Sequence, residues 1–194
     1  MMPLDLEPDW PEPTVGLMLI AHPEAPARAV ESVEVQFELS PDGALWLRYH
    51  IEVPETDLTL PDPAERDRAD GLWKTTCCEL FLKQPGEPGY LEFNFSPSSQ
   101  WAAYRFASYR DGGENLDIEP PAIFLDCSAS HLALEATVQL PRGWTDAPLL
   151  AALSAVVEET DGTKSYWALR HPPGKPDFHH PDCFALTLGA PPPA

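Results

Sequence analysis

Residues 171–183, HPPGKPDFHHPDC, gather three histidines, one cysteine and two aspartates into thirteen positions of a chain that holds six histidines in all. Imidazole, thiolate and carboxylate are the donors a divalent metal takes, so His171, His179, His180 and Cys183 are the candidate ligand set. Their spacing matches no finger pattern. Side chains adjacent on an extended backbone diverge, so at most one of His179 and His180 reaches an ion shared with His171. Pro172, Pro173, Pro176 and Pro181 stiffen the same stretch, and a stiff loop presents Lys175, Asp177 and His179 to a ligand at low entropic cost. The rim of a binding pocket is therefore the expectation, with His171 beside it and with Trp73 and Lys74 approaching from a second long loop. No cofactor is required by this reading. Haem or a divalent metal on the C-terminal histidines is kept as the alternative.

A second constellation is acidic. Glu79 and Glu92 fall on neighbouring runs of alternating sequence, at the ~5–7 Å separation of close sheet neighbours and of the carboxyl pair in retaining glycosidases. Such a pair could serve a hydrolase. However, outward carboxylates on an open sheet are normally solvated, and G-x-S-x-G, H-E-x-x-H and phosphate-cradling glycine loops are absent. Binding without catalysis is the preferred expectation.

These groups must be positioned by strands. SVEVQFEL (32–39) places Val33, Val35, Phe37 and Leu39 on one face, and ALWLRYHIEV (44–53) repeats the pattern after the turn SPDG. Further strands are expected at 78–83, 90–96, 100–106, 122–127, 132–140, 150–159, 165–170 and 184–188, with a long charged, proline-rich loop over 54–72. The stretch DAPLLAALS (146–154) has some helical period but is assigned to the strand that follows. About ten short strands specify an all-β, two-sheet antiparallel β-sandwich or barrel. With 194 residues, one domain is expected, its core spanning about 15–189 and its termini loosely ordered.

Apolar matching sets a register: Leu80 opposite Phe93 and Leu82 opposite Leu91 face inward, so Glu79 lies opposite Asn94 on the other face. Carrying that register across SPSS (96–99) predicts Asn94 opposite Trp101, with Arg105 further along. A row of acid, amide and indole then crosses three strands. An indole gives a sugar ring an apolar platform while carboxylates and amides take its hydroxyls, so a saccharide-like ligand fits.

Composition narrows the partners. Twelve Lys and Arg against 31 Asp and Glu leave a formal charge of −19, which repels nucleic acid and anionic lipid. MMPLDLEPDWPEP lacks the features of a secretory signal, and no run approaches the ~20 apolar residues of a membrane span. A cytoplasmic, monomeric or weakly dimeric protein is expected. The four cysteines fit no disulfide framework and read as thiols. Met18, in VGLMLIA, is expected in the core.

At LWKTTCCELFL, YLEFNFSPSSQWAAYRF and SYWALRHPPGKPDFHHPDCFALTL the chain resembles the bacterial DOMON-like group, related to family-9 carbohydrate-binding modules. The resemblance covers roughly residues 15–189. It implies a β-sandwich of jelly-roll or immunoglobulin-like type that binds a small ligand, and it puts Trp73 and Trp101 forward as the rings that would sandwich a sugar. The haem-binding branch uses Met and His axial ligands. With Met1, Met2 and Met18 the only methionines, this chain departs from that pattern.

Overall fold

The computed structural model describes residues 16–189; the loosely ordered ends expected at the two termini lie outside the described residues. Its strands are β1 (Gly16–Met18), β2 (Ile20–Ala21), β3 (Ser32–Leu39), β4 (Ala44–Glu52), β5 (Cys77–Lys83), β6 (Tyr90–Phe95) and β7 (Trp101–Phe106). There follow β8 (Glu114–Asn115), β9 (Ala122–Cys127), β10 (His131–Gln139), β11 (Leu149–Glu158), β12 (Lys164–Ala168) and β13 (Leu186–Leu188). Two antiparallel sheets result. The smaller has the order β1-β3-β4-β10-β9, and the larger β2-β12-β11-β5-β6-β7-β8, with β13 alongside β11. The ambiguous stretch before residue 155 is strand from Leu149 onward.

Alternation explains how the sandwich closes. In β4, Leu45, Leu47, Tyr49 and Ile51 are wholly buried while the residues between them are half-buried, and they meet Leu80, Leu82, Phe93 and Phe95 of the larger sheet in one core. The Tyr49 hydroxyl donates to the Glu79 carbonyl at 2.6 Å, which avoids the ~1–3 kcal/mol cost of an unpaired buried hydroxyl. The chain changes sheets between β1 and β2 at buried Leu19, whose N–H donates to Val33. Met18, expected inside, is 55% exposed, because the inward positions of this short crossing are taken by its neighbours. The four cysteines form no disulfide.

The register derived for β5 and β6 is found, with Glu79 opposite Asn94, Leu80 opposite Phe93 and Leu82 opposite Leu91. The extension to β7 is not: Phe95 lies opposite Trp101 and Asn94 opposite Ala102. Ser99 has φ 77°, and its N–H donates to Ser96, while the Ser96 N–H donates to Gln100. The connection is thus a three-residue loop closed by a left-handed residue. That one-residue shift turns every β7 side chain to the other face. Trp101 enters the core, 6% exposed, and Arg105 shares its parity, whereas Ala102, Tyr104 and Phe106 face outward.

Candidate ligand-binding site

The outer face of the larger sheet carries a cleft of about 700 Å³. Glu79 of β5 and Glu92 of β6 lie at its floor, with Tyr104 and Phe106 of β7 on one side and Val156 of β11 and Tyr166 of β12 on the other. Across this face β5 and β6 are buried at nearly every position, because two segments cover them beside Leu72, which packs on Cys77 and Ala102. One is the strap from Leu169 to Ala185, which brings Lys175, Pro176, Asp177, Phe178 and His179 to the cleft. The other is the turn after β7, which brings Arg110 and Gly113. Arg110 has φ 54°, a left-handed backbone uncommon for a side-chain-bearing residue. At Gly113 a Cβ would stand 2.9 Å from the Phe106 ring, so glycine keeps this wall close to the sheet.

Aromatic packing holds the strap down. Phe178 is 8% exposed and lies 6.1 Å from Tyr166 between ring centroids. His179 sits edge-on to Phe81 and Phe106, at 5.1 and 5.2 Å, and Tyr90 stacks on Phe106 at 4.8 Å. Past His180 the chain forms a short 3-10 turn, Pro181–Cys183, capped by the His180 imidazole, which accepts from the Asp182 N–H.

Polar contacts connect the strap to the turn and the floor. Asp177 accepts from the Arg110 guanidinium at 2.7 Å, from the His179 N–H at 3.2 Å and from the Tyr109 hydroxyl. Burial would raise the Asp177 pKa; the bonds from Tyr109 and Arg110 outweigh it and hold the carboxyl below its usual range. The Tyr90 hydroxyl accepts from the Arg110 N–H at 3.2 Å and lies 2.7 Å from His179 Nδ1. Burial lowers the His179 pKa to about 4, helped by the Arg110 charge, so the ring is neutral at pH 7. With Tyr90 donating to Nδ1, the network assigns the ring proton to Nε2, which faces Glu92 Oε2 at 3.7 Å.

The two floor carboxyls differ in support. Glu92 accepts from Asn94 Nδ2 at 2.8 Å; its pKa is raised by burial, a shift opposed by that bond and by the Arg110 charge. Glu79 is raised further, by burial and then by the neighbouring Glu92. Two buried acids side by side, one with little internal support, favour a shared proton or a ligand that donates to both.

Of the eleven binding residues expected from sequence, the cleft brings together Trp73, Glu79, Glu92, Lys175, Asp177 and His179. Asn94 stands just behind, holding Glu92 in place. Trp101 and Arg105 are corrected: the shifted β7 register points them away from this face. Lys74 turns back over the Trp73 ring, 5.8 Å from its centroid. His171 belongs to a separate hollow, where its Nε2 lies 2.7 Å from the Ile20 carbonyl oxygen. Sequence reasoning missed Tyr104, Phe106, Arg110, Tyr166 and Phe178. The first two follow from the correct register, and SYRDGG signalled a tight turn beside them.

The candidate metal ligands are spread among different partners. His171 meets Ile20, His179 meets Tyr90, His180 caps Asp182 and Cys183 Sγ donates to the Asp177 carbonyl. Among the described residues no group of three or more His, Cys, Asp and Glu is placed to hold a metal ion. Among the described residues His171, His179, His180 and Cys183 therefore do not form one ligand set.

No family model and no curated protein matches the sequence. Solved structures do. A Bacteroides uniformis protein put forward as carbohydrate-binding superposes with a TM-score of 0.64 at 10% identity, covering 87% of this chain and 83% of that one. A family-9 carbohydrate-binding module from Caldicellulosiruptor kristjanssonii gives 0.46 at 13% identity in complex with cellotriose, covering 74% of this chain and 67% of that one. In complex with glucose it gives 0.40 at 13% identity, covering 73% and 69%. At such identities the likeness is one of fold, and the chain shares the two-sheet sandwich of the Bacteroides protein.

Proposed function

We propose that the cleft binds a saccharide or a sugar-containing metabolite and does not transform it. The observation that carries this reading is the outward row of Tyr104 and Phe106 facing Tyr166 and Phe178 across a floor of two buried carboxyls. A pyranose has C–H-rich faces and an equator of hydroxyls; rings take the former, while Glu79, Glu92, Asp177 and Arg110 take the latter. A volume near 700 Å³ suits one or two sugar rings and lies within the ~300–1,000 Å³ of small-molecule sites. The fold likeness to a protein put forward as carbohydrate-binding agrees with the reading.

The test is a glycan screen followed by calorimetric titration of the tightest hit. Binding that Y104A weakens by at least ~1 kcal/mol, with folding intact, is the expected result. Equal binding by Y104A overturns the site. Because a raised carboxyl pair would also suit a general acid, the same titrant is checked for cleavage products. Turnover that E79Q and E92Q abolish would replace binding with hydrolysis.

A further inference from the structure

Three buried carboxylates invite comparison. Glu159, 2% exposed, accepts backbone N–H groups from Arg28, Ala29 and Val30 and so pins the segment before β3. Glu92, 5% exposed, has the Asn94 amide and faces the His179 ring N–H. Glu79, 3% exposed, lines the cleft yet has no hydrogen-bond donor and no ion-pair partner among the described residues. Beside it in the sheet, opposite on β11, Ser154 Oγ is buried and has no hydrogen-bond partner among the described residues. Buried polar groups in folded proteins are nearly always satisfied, so Glu79 takes its donors from what the cleft holds, water or a ligand.

The nearby cations do not supply it. Arg110 is held by Asp177 at 2.7 Å, His179 is neutral, and Lys175 stands exposed at the rim. A hydroxyl would satisfy one lone pair of one acid, whereas an ammonium donates three N–H groups and removes the repulsion between two adjacent carboxylates. The Tyr166 ring on the cleft wall adds to this as a face that attracts a cation, the Tyr104 and Trp73 rings already carrying Arg68 and Lys74. A protein of charge −19 also draws cations toward its clefts.

We infer that the ligand is a saccharide bearing a protonated amine, an amino sugar whose ammonium lies against Glu79 and Glu92. This rests on the saccharide reading and specifies its chemistry. The same geometry disfavours N-acetylated and acidic sugars, which offer a single N–H or a like charge to the same two acids.

The experiment is calorimetric titration of the full chain at pH 7 with glucosamine, galactosamine and mannosamine, each beside its neutral hexose and its N-acetyl form. A charge-assisted contact is worth ~1.5–3 kcal/mol, so at least one amino sugar should bind about tenfold or more tighter than both neutral counterparts. That preference should collapse in E79Q and shrink in E92Q, both with unchanged circular dichroism, and persist in E135Q on the opposite sheet. Neutral hexoses binding as tightly as the amines would overturn the inference and leave the saccharide reading standing. A cation preference that survives both Glu79 and Glu92 substitutions would also overturn it. Absence of binding by every sugar would overturn both readings together.

Discussion

The two sheets present outer faces written in the same alternating code, and they end differently. On the smaller sheet the outward residues Arg48, His50 and Glu135 of β4 and β10 are half-buried, and Arg48 and Glu135 pair at 3.7 Å. On the larger sheet the equivalent positions hold Glu79, Glu92 and Asn94 at 5% exposure or less. The difference lies in what covers them. The strap carrying Phe178 and His179 and the turn carrying Arg110 close over the second face. An acid on an open face is ordinary; the same acid under a cover is costly to keep, which is why the proposed site is put on the second face.

Substitutions sharpen that contrast. Trp101→Ala should cost about 3–5 kcal/mol of stability in denaturant unfolding, because the indole belongs to the core between the sheets. A loss of affinity at unchanged stability would return Trp101 to the cleft.

His179 gives the next effect, through pH. Its folded pKa of about 4 lies below the ordinary 6.5, so between those values the unfolded chain takes up a proton that the folded chain refuses. Stability from this group is therefore complete above pH 6.5 and is lost as pH falls toward 4, by up to about 3 kcal/mol. H179Q should flatten that part of the stability-against-pH curve relative to the unsubstituted protein; parallel curves would mean that the ring is not buried by the strap. Glu79 works in the opposite sense. Its raised folded pKa makes stability fall as pH rises through that value, and E79Q should remove that decline.

The smallest effect belongs to the open face. R48A should change stability by no more than ~0.5 kcal/mol, as expected of a half-buried pair at 3.7 Å, and should leave ligand binding alone. A large cost would show that the smaller sheet's outer face is covered after all.

The strands were legible because each has one apolar and one polar side, and the β5–β6 register followed from matching apolar sets. The step to β7 failed at a single serine. A left-handed Ser99 has no sequence signal as glycine would, so SPSS reads equally well as a four-residue turn, and one residue of slip exchanged Trp101 for Ala102. The acids of the cleft were found because they sit on a well-registered pair of strands. Their burial was not, since alternation reports which side a residue faces and says nothing of a strap that folds back from some ninety positions later. Proline content marked that strap as rigid, and Phe178 within it was the available clue that one side of the loop is buried.

The most direct test of the central claim is calorimetric titration of the tightest hit from the glycan screen into three proteins: unsubstituted, Y104A and R48A. The account predicts binding to the unsubstituted protein and to R48A with equal affinity, and a loss of at least ~1 kcal/mol in Y104A. Binding that Y104A retains and R48A loses would place the ligand on the open face and contradict the account.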